Sequence, residues 1–263
     1  MNTIFKSIML SAAVLAFSTQ AVFAKEGDAP KSYSDKYLNC SAPMGHHLSV
    51  REFTCPIGGE KYESLALGTH SIFGRYLDWS PVSYMQFPPP LPVCPSNGFV
   101  AAREYAPEDL AKVEKVIASD EYKKIYAGQH ATFFLFAEQN RLAQIDEKER
   151  FALLMQATWE ASNCNDAAKY RSYATLAIET GKEKLKTLTE KDNEYWMIYS
   201  VIPELYRRMG EFKQAQEWLD TLAGKSPVNK EMKEGFDLAV ELLKEAVAAQ
   251  NSAPVALKRK TEK

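Results

Sequence analysis

The sequence predicts an α+β protein that is mostly α, and three observations carry that expectation. Two loops of the form Cys-Pro-x-x-Gly, Cys55-Pro56-Ile57-Gly58-Gly59 and Cys94-Pro95-Ser96-Asn97-Gly98, each lie between β-rich runs. From Pro107 onward the apolar period changes from 2 to 3.6. Finally, Tyr206, Gly210, Phe212, Ala215, Leu219 and Pro227 fall at the signature slots of one 34-residue tetratricopeptide-like unit. Together they predict a small β-rich, zinc-knuckle-derived N-terminal module followed by a tetratricopeptide-like helical domain.

Residues 1–24 have the form of a secretory signal peptide. Lys6 supplies the positive end, Ile8 to Phe17 is apolar, and Val22-Phe23-Ala24 offers small residues for cleavage after Ala24. The apolar run is too short for a spanning helix, and no later stretch reaches the required length. The mature chain is therefore expected to be periplasmic or secreted, with no transmembrane segment. Residues 25–35 read as a mobile leader.

The whole chain carries 32 Lys+Arg against 34 Asp+Glu. Loss of Lys6 leaves 31 against 34, a net charge of −3. A nucleic-acid partner would need a basic patch, and none is visible apart from Lys258-Arg259-Lys260 in the tail. All four cysteines, Cys40, Cys55, Cys94 and Cys164, follow the leader. In an oxidising compartment that count favours two disulfides, and four cysteines permit three pairings.

In each loop, Pro at the second position fixes φ, and Gly at the fifth permits the positive φ that reverses the chain. This is the backbone chemistry of a zinc knuckle, with Gly58 and Asn97 standing where the second thiolates would be. Leu48 to Thr54 and Tyr62 to Leu67 flank the first loop as expected strands. Val93 and Phe99 to Ala102 flank the second. Phe87-Pro88-Pro89-Pro90-Leu91-Pro92 must be extended, because each Pro disfavours α conformation in its predecessor. It serves as a rigid lead-in to the second loop, and residues 36–105 make up the module.

The helical domain is expected over 106–250. Pro107 suits a first helical position, with Glu108 and Asp109 complementing the positive end of the dipole. Leu110, Val113 and Ile117 share one face, and Ser119 is placed to cap a second helix carrying Tyr122, Ile125 and Tyr126. Phe133, Phe134, Phe136 and Ala137 form a dense apolar run. Phe151, Leu154, Met155, Thr158 and Trp159 keep helical spacing up to the turn Asn163-Cys164-Asn165-Asp166, where Asn165 or Asp166 can cap the next helix. That helix carries Tyr170, Tyr173, Ala174, Ala177, Ile178 and Leu185.

The tetratricopeptide-like unit spans 196–229. Gly210 is at its inter-helix turn, Ala215 where the two helices touch, and Pro203 should delete one backbone hydrogen bond from its first helix. An earlier, weaker unit places Trp159 and Ala168 at the corresponding slots. Met232, Phe236, Ala239, Leu243 and Val247 give a last amphipathic helix. Residues 251–263 read as a disordered tail.

The twin loops ahead of aromatic-rich helices resemble a family of uncharacterised bacterial proteins, a domain of unknown function. Its members carry two Cys-Pro-x-Cys-Gly knuckles followed by tetratricopeptide-like helices. The likeness covers about residues 50–225 and rests most on Cys55-Pro56 and Leu91-Pro92-Val93-Cys94-Pro95. It implies that the two loops face one another. Cys55 and Cys94 would then form a disulfide, leaving Cys40 to pair with Cys164. The family brings no known activity.

No His-Glu-x-x-His, Gly-x-Ser-x-Gly, phosphate-binding glycine loop or Cys-x-x-Cys pair is present. His130 reads as structural, and Asp78-Trp79 fits either a pocket or a turn before Pro81. The resulting expectation is an exported protein- or peptide-binding or assembly module without a cofactor. The alternative is a metal-binding protein or metalloenzyme, in which Cys55 and Cys94 join His46, His47 or His70 around zinc.

Overall fold

The computed structural model describes residue 40 and residues 48–258. The segments expected to be a signal peptide and a leader, together with His46, His47 and residues 259–263, lie outside them. Among the described residues are four short strands and eight α-helices, so the chain is mostly α with a small β part.

Strands β1 (Leu48–Thr54) and β2 (Lys61–Leu67) pair antiparallel in register from Leu48↔Leu67 to Thr54↔Lys61. The first Cys-Pro loop closes that hairpin. Strands β3 (Gly74–Arg75) and β4 (Pro81–Val82) form a second, minimal pair, and a Val93↔Val100 bridge closes the second Cys-Pro loop. The Pro-rich lead-in is held at both ends. Asn163 Nδ2 donates to Phe87 O at 2.9 Å, and Leu91 N donates to Thr132 Oγ1 at 2.8 Å.

The helices are α1 (Pro107–Ala118), α2 (Asp120–Ala127), α3 (Thr132–Ala143), α4 (Arg150–Asn163), α5 (Ala167–Leu185), α6 (Asn193–Arg208), α7 (Phe212–Thr221) and α8 (Lys230–Ala248). Their starts follow the expected chemistry. Pro107 opens α1, the Ser119 hydroxyl accepts from Tyr122 N to cap α2, and the Asp166 carboxylate accepts from Lys169 N to cap α5. No helix among the described residues is long and apolar enough to cross a membrane.

Three apolar clusters hold these elements. Cys55, Tyr62, Cys94 and Phe99, in and beside the two Cys-Pro loops, pack with Val113, Ile117 and Tyr122 from α1 and α2. The change in secondary structure at residue 106 is thus bridged by a shared core. Phe133 to Ala137 of α3 join Phe151, Leu154 and Met155 of α4, Tyr173, Ala174, Ala177 and Ile178 of α5, and Ile198, Val201, Ile202 and Leu205 of α6. Trp196, Ala215 and Leu219 meet Phe236, Ala239, Leu243 and Val247 of α8.

Pro203 lies inside α6 and cannot donate to the carbonyl of Tyr199. That carbonyl instead accepts from Trp218 Nε1 on α7 at 3.0 Å. The missing helical bond has become an inter-helix bond.

One expectation is corrected here. Residues 251–258 are not a disordered tail. Leu77 N donates to Val255 O at 2.9 Å, Leu257 N donates to Arg75 O at 2.7 Å, and Tyr76 bridges Ala256 antiparallel. Val255 and Leu257 pack on the third cluster. The segment is polar at its start but contributes two apolar side chains, and the open edge at Arg75–Leu77 supplies their backbone partners. Residue periodicity could not show that edge, because it lies about 180 residues away in the chain.

Candidate functional site

The two Cys-Pro loops repeat one hydrogen-bond pattern. Cys55 N donates to Glu60 O at 2.8 Å and Gly59 N to Cys55 O at 3.1 Å. Cys94 N donates to Phe99 O at 2.8 Å and Gly98 N to Cys94 O at 2.9 Å. Gly59 and Gly98 both adopt positive φ, as the loops require. A Cβ at Gly98 would also sit 2.7 Å from the Tyr126 ring, so α2 closes directly over that turn. Tyr122 and Tyr126 then hold the loop through their hydroxyls, donating to Gly98 O at 2.8 Å and Pro95 O at 3.0 Å.

The loops face one another. Cys55 and Cys94 form a disulfide with Cα atoms 5.8 Å apart, inside the range a bridge needs. Gly58 and Asn97, the fourth residues of the two loops, also meet, because a Cβ at Gly58 would lie 3.9 Å from Asn97 Nδ2. Asn97 Nδ2 donates to Ile57 O at 2.9 Å, and its Oδ1 accepts from Phe99 N at 2.9 Å. The first and fourth residues of the two loops thus converge, with a disulfide between the first residues and the Asn97 amide bridging the loops.

Glu60 is the site residue that sequence reasoning missed. Its Oε1 accepts from Ser96 N at 3.0 Å and from Ser96 Oγ at 2.7 Å, tying the first loop to the second. Its carboxylate lies within 4.8 Å of both sulfurs, which makes Cys55, Glu60 and Cys94 the cluster of metal-ligating groups found among the described residues. The signal was positional, since Glu60 follows Gly59 as Phe99 follows Gly98. Burial, with the Glu60 charge adding to it, pushes the neighbouring Tyr62 phenol up to about 12.

His70 does not join this cluster. It sits edge-on to Phe87 with ring centroids 5.0 Å apart. His46 and His47 fall outside the described residues. Cys40 and Cys164 are each half-buried, and the bridge between them stays an expectation. His130 stacks on Phe134 at 4.5 Å and meets Tyr173 Oη at 3.0 Å, a packing role. Of the repeat signature, Ala215, Leu219 and Pro227 are buried, Tyr206 and Phe212 are half-buried, and Gly210 makes the exposed turn.

A second centre surrounds Asp78-Trp79. Trp79 has φ 64°, a left-handed conformation that costs of order 1–3 kcal/mol for such a residue. The turn is held by Arg75 Nη1, which donates to Trp79 O at 2.8 Å, and by Trp79 N, which donates to Tyr76 O at 2.9 Å. The indole reaches α6, with Nε1 3.4 Å from Ser200 Oγ. On one side of Trp79 a recess of about 360 Å³ is lined by Phe151 and Met155 of α4 and Val201 of α6. On the other a recess of about 350 Å³ is lined by Trp196 of α6 and Met232 and Phe236 of α8. Trp79 and Met197 border both.

Behind the turn, Asp78 and Arg208 form a buried pair at 3.4 Å, with side chains 3% and 9% exposed. Burial pushes the nearby Tyr170 phenol far above its ordinary range, and its hydroxyl has no partner among the described residues. The same holds for Trp159 Nε1 and Gln86 Oε1. Each such group costs about 1–3 kcal/mol when left unsatisfied.

Arg208, Trp159, Gln86 and Tyr170 were not linked to Asp78 by any sequence spacing, since the turn and the helices are far apart in the chain. No protein-family model, curated protein or solved structure matches this chain.

Proposed function

We propose that the chain is an exported binding protein, in which the disulfide-stapled knuckle module braces a tetratricopeptide-like stack that presents a groove to an extended peptide. Export is supported by the pattern of residues 1–24 and by the Cys55–Cys94 bridge, which suits an oxidising compartment. The resemblance to twin-knuckle proteins with tetratricopeptide-like helices agrees with the helix pairs α4/α5 and α6/α7, followed by α8.

One observation carries the binding reading. Alternate helices α4, α6 and α8, the first members of successive pairs, all contribute to the two adjoining recesses divided by Trp79. Alternate helices line the concave side of such stacks, the side that takes partners. Met155, Met197 and Met232 give that surface adaptable apolar contacts.

Selection of displayed peptides on the immobilised full chain tests this. Peptides with apolar residues at fixed spacing are expected, and Met197→Glu should weaken them at least tenfold by placing a carboxylate between the recesses. Failure to enrich any sequence, or unchanged binding by Met197→Glu, would remove the groove as the recognition surface.

The second reading, a metal-binding protein, is favoured by the cluster of Cys55, Glu60 and Cys94. It requires the thiols to be unbridged, since thiolates are the ligands. Metal analysis of protein isolated from the export compartment separates it from the first.

A further inference from the structure

Residues 74–77 have two hydrogen-bonding sides. Toward β4, Phe73 N donates to Val82 O at 2.8 Å and Tyr76 N to Ser80 O at 2.9 Å. On the opposite side Arg75 O accepts from Leu257 N at 2.7 Å, and Leu77 N donates to Val255 O at 2.9 Å. These two bonds flank the antiparallel Tyr76↔Ala256 bridge. The second side is thus a strand edge, filled by a segment remote in sequence.

Val255 and Leu257 are two apart and so face the same side of that added strand. Both pack on the cluster that holds Leu77, Trp196 and Phe236, and Leu257 forms part of the wall of the recess beside Trp79. Main-chain bonds along an edge, with seats for alternate side chains, are the parts of strand-addition recognition. The chain's own segment displays what this edge accepts: an extended backbone with apolar side chains at i and i+2.

The added strand is built to leave. Two main-chain bonds join it to the edge, and Val255, Ala256 and Leu257 stay half-buried. Pro254, just before it, is exposed and has no N–H to donate. The firm anchor lies upstream, where the buried Arg207, paired with Glu204, donates to the carbonyls of Asn251 and Ala253. Release of 255–257 leaves that anchor intact.

We propose that the 75–77 edge is a strand-addition site for an extended segment of a partner protein, carrying Val- and Leu-sized residues two apart. The chain's own 255–257 strand occupies the site in cis until such a segment displaces it. This rests on the peptide-groove reading above and supplies its binding mode. A tethered competitor acts at a local concentration of millimolar order, so cis occupancy weakens every soluble peptide.

The probe is a fluorescent peptide with the sequence of residues 252–258, titrated into the full chain and followed by anisotropy. Val255→Ser/Leu257→Ser weakens the cis strand and keeps its backbone, so this double variant should bind the probe at least tenfold more tightly than wild type. Methylating the probe's amide nitrogen at the Leu257 position removes the donor to Arg75 O and should cost at least tenfold. Methylation at the Ala256 position should not, because in this register that N–H points away from the edge. Equal affinity of wild type and double variant, or equal response to the two methylations, overturns the proposal. Hydrogen exchange of wild type supplies a check that needs no variant to fold. The Leu77 and Leu257 amides should be protected to the same degree, at least tenfold less than that of Leu205 in α6. Protection equal to that of Leu205 would mean that the strand leaves only on unfolding, which also overturns it. Displayed peptides that bind wild type and double variant equally well would leave the groove reading standing and remove this one. Probe binding of the predicted kind without any enriched displayed peptide would do the reverse.

Discussion

At the residue scale, the amide of Asn97 donates across to Ile57 O of the first loop, lies 3.8 Å from Cys55 Sγ, and accepts within its own loop from Phe99 N. Alanine would leave the buried Phe99 N–H without that partner, so Asn97→Ala should cost about 1–3 kcal/mol in urea unfolding. A second residue makes a pH prediction. Glu160 is buried and accepts from Thr132 Oγ1 at 2.7 Å and Phe133 N at 2.9 Å, with burial pushing its carboxyl up from 4.5 to about 7. Its folded-state value is above the unfolded one, so between about pH 4.5 and 7 the native state holds a proton that the unfolded chain has released. Raising the pH through that window should therefore drain stability, at up to about 1.4 kcal/mol per pH unit for this group. Denaturation of wild type and Glu160→Gln at pH 5 and pH 8 checks the sign. The variant should lose less stability over the interval.

At the element scale, α6 and α7 depend on close approach. Ala215 is fully buried between α7 and its neighbours, so Ala215→Leu should cost roughly 1–3 kcal/mol by overpacking and lower the melting temperature. The same helix pair shows where sequence reasoning succeeded. Pro203 announced a missing backbone bond, and Gly210, Ala215 and Leu219 announced a tight turn with a small contact residue. What periodicity did not supply was the partner of the freed Tyr199 carbonyl, the Trp218 indole. Caps at Ser119 and Asp166 were legible because they are local chemistry. The cavity around Arg208 was not, because Asp78, Trp159 and Arg208 lie on three segments whose juxtaposition only packing decides.

At the scale of the whole molecule, the C-terminal segment closes the structure by long-range pairing. The buried Arg207 is paired with Glu204 and also donates to the carbonyls of Asn251 and Ala253. Ending the chain at residue 250 removes those acceptors and strips Val255 and Leu257 from the third cluster. The shortened protein should melt at a distinctly lower temperature, with exchange of amide hydrogens accelerating first at Leu77. An unchanged melt would mean that the segment is ornament to the fold. The two Cys-Pro loops likewise share one apolar cluster with α1 and α2.

Everything N-terminal to the helices turns on the facing loops and their bridge, which closes a span of 39 residues and should contribute roughly 4 kcal/mol by constraining the unfolded chain. Intact-mass analysis of the purified full chain, with non-reducing peptide mapping, tests this most directly. The expected result is a crosslinked pair joining the peptides of Cys55 and Cys94, with no stoichiometric zinc. Free thiols at both positions together with one metal ion per chain would contradict it.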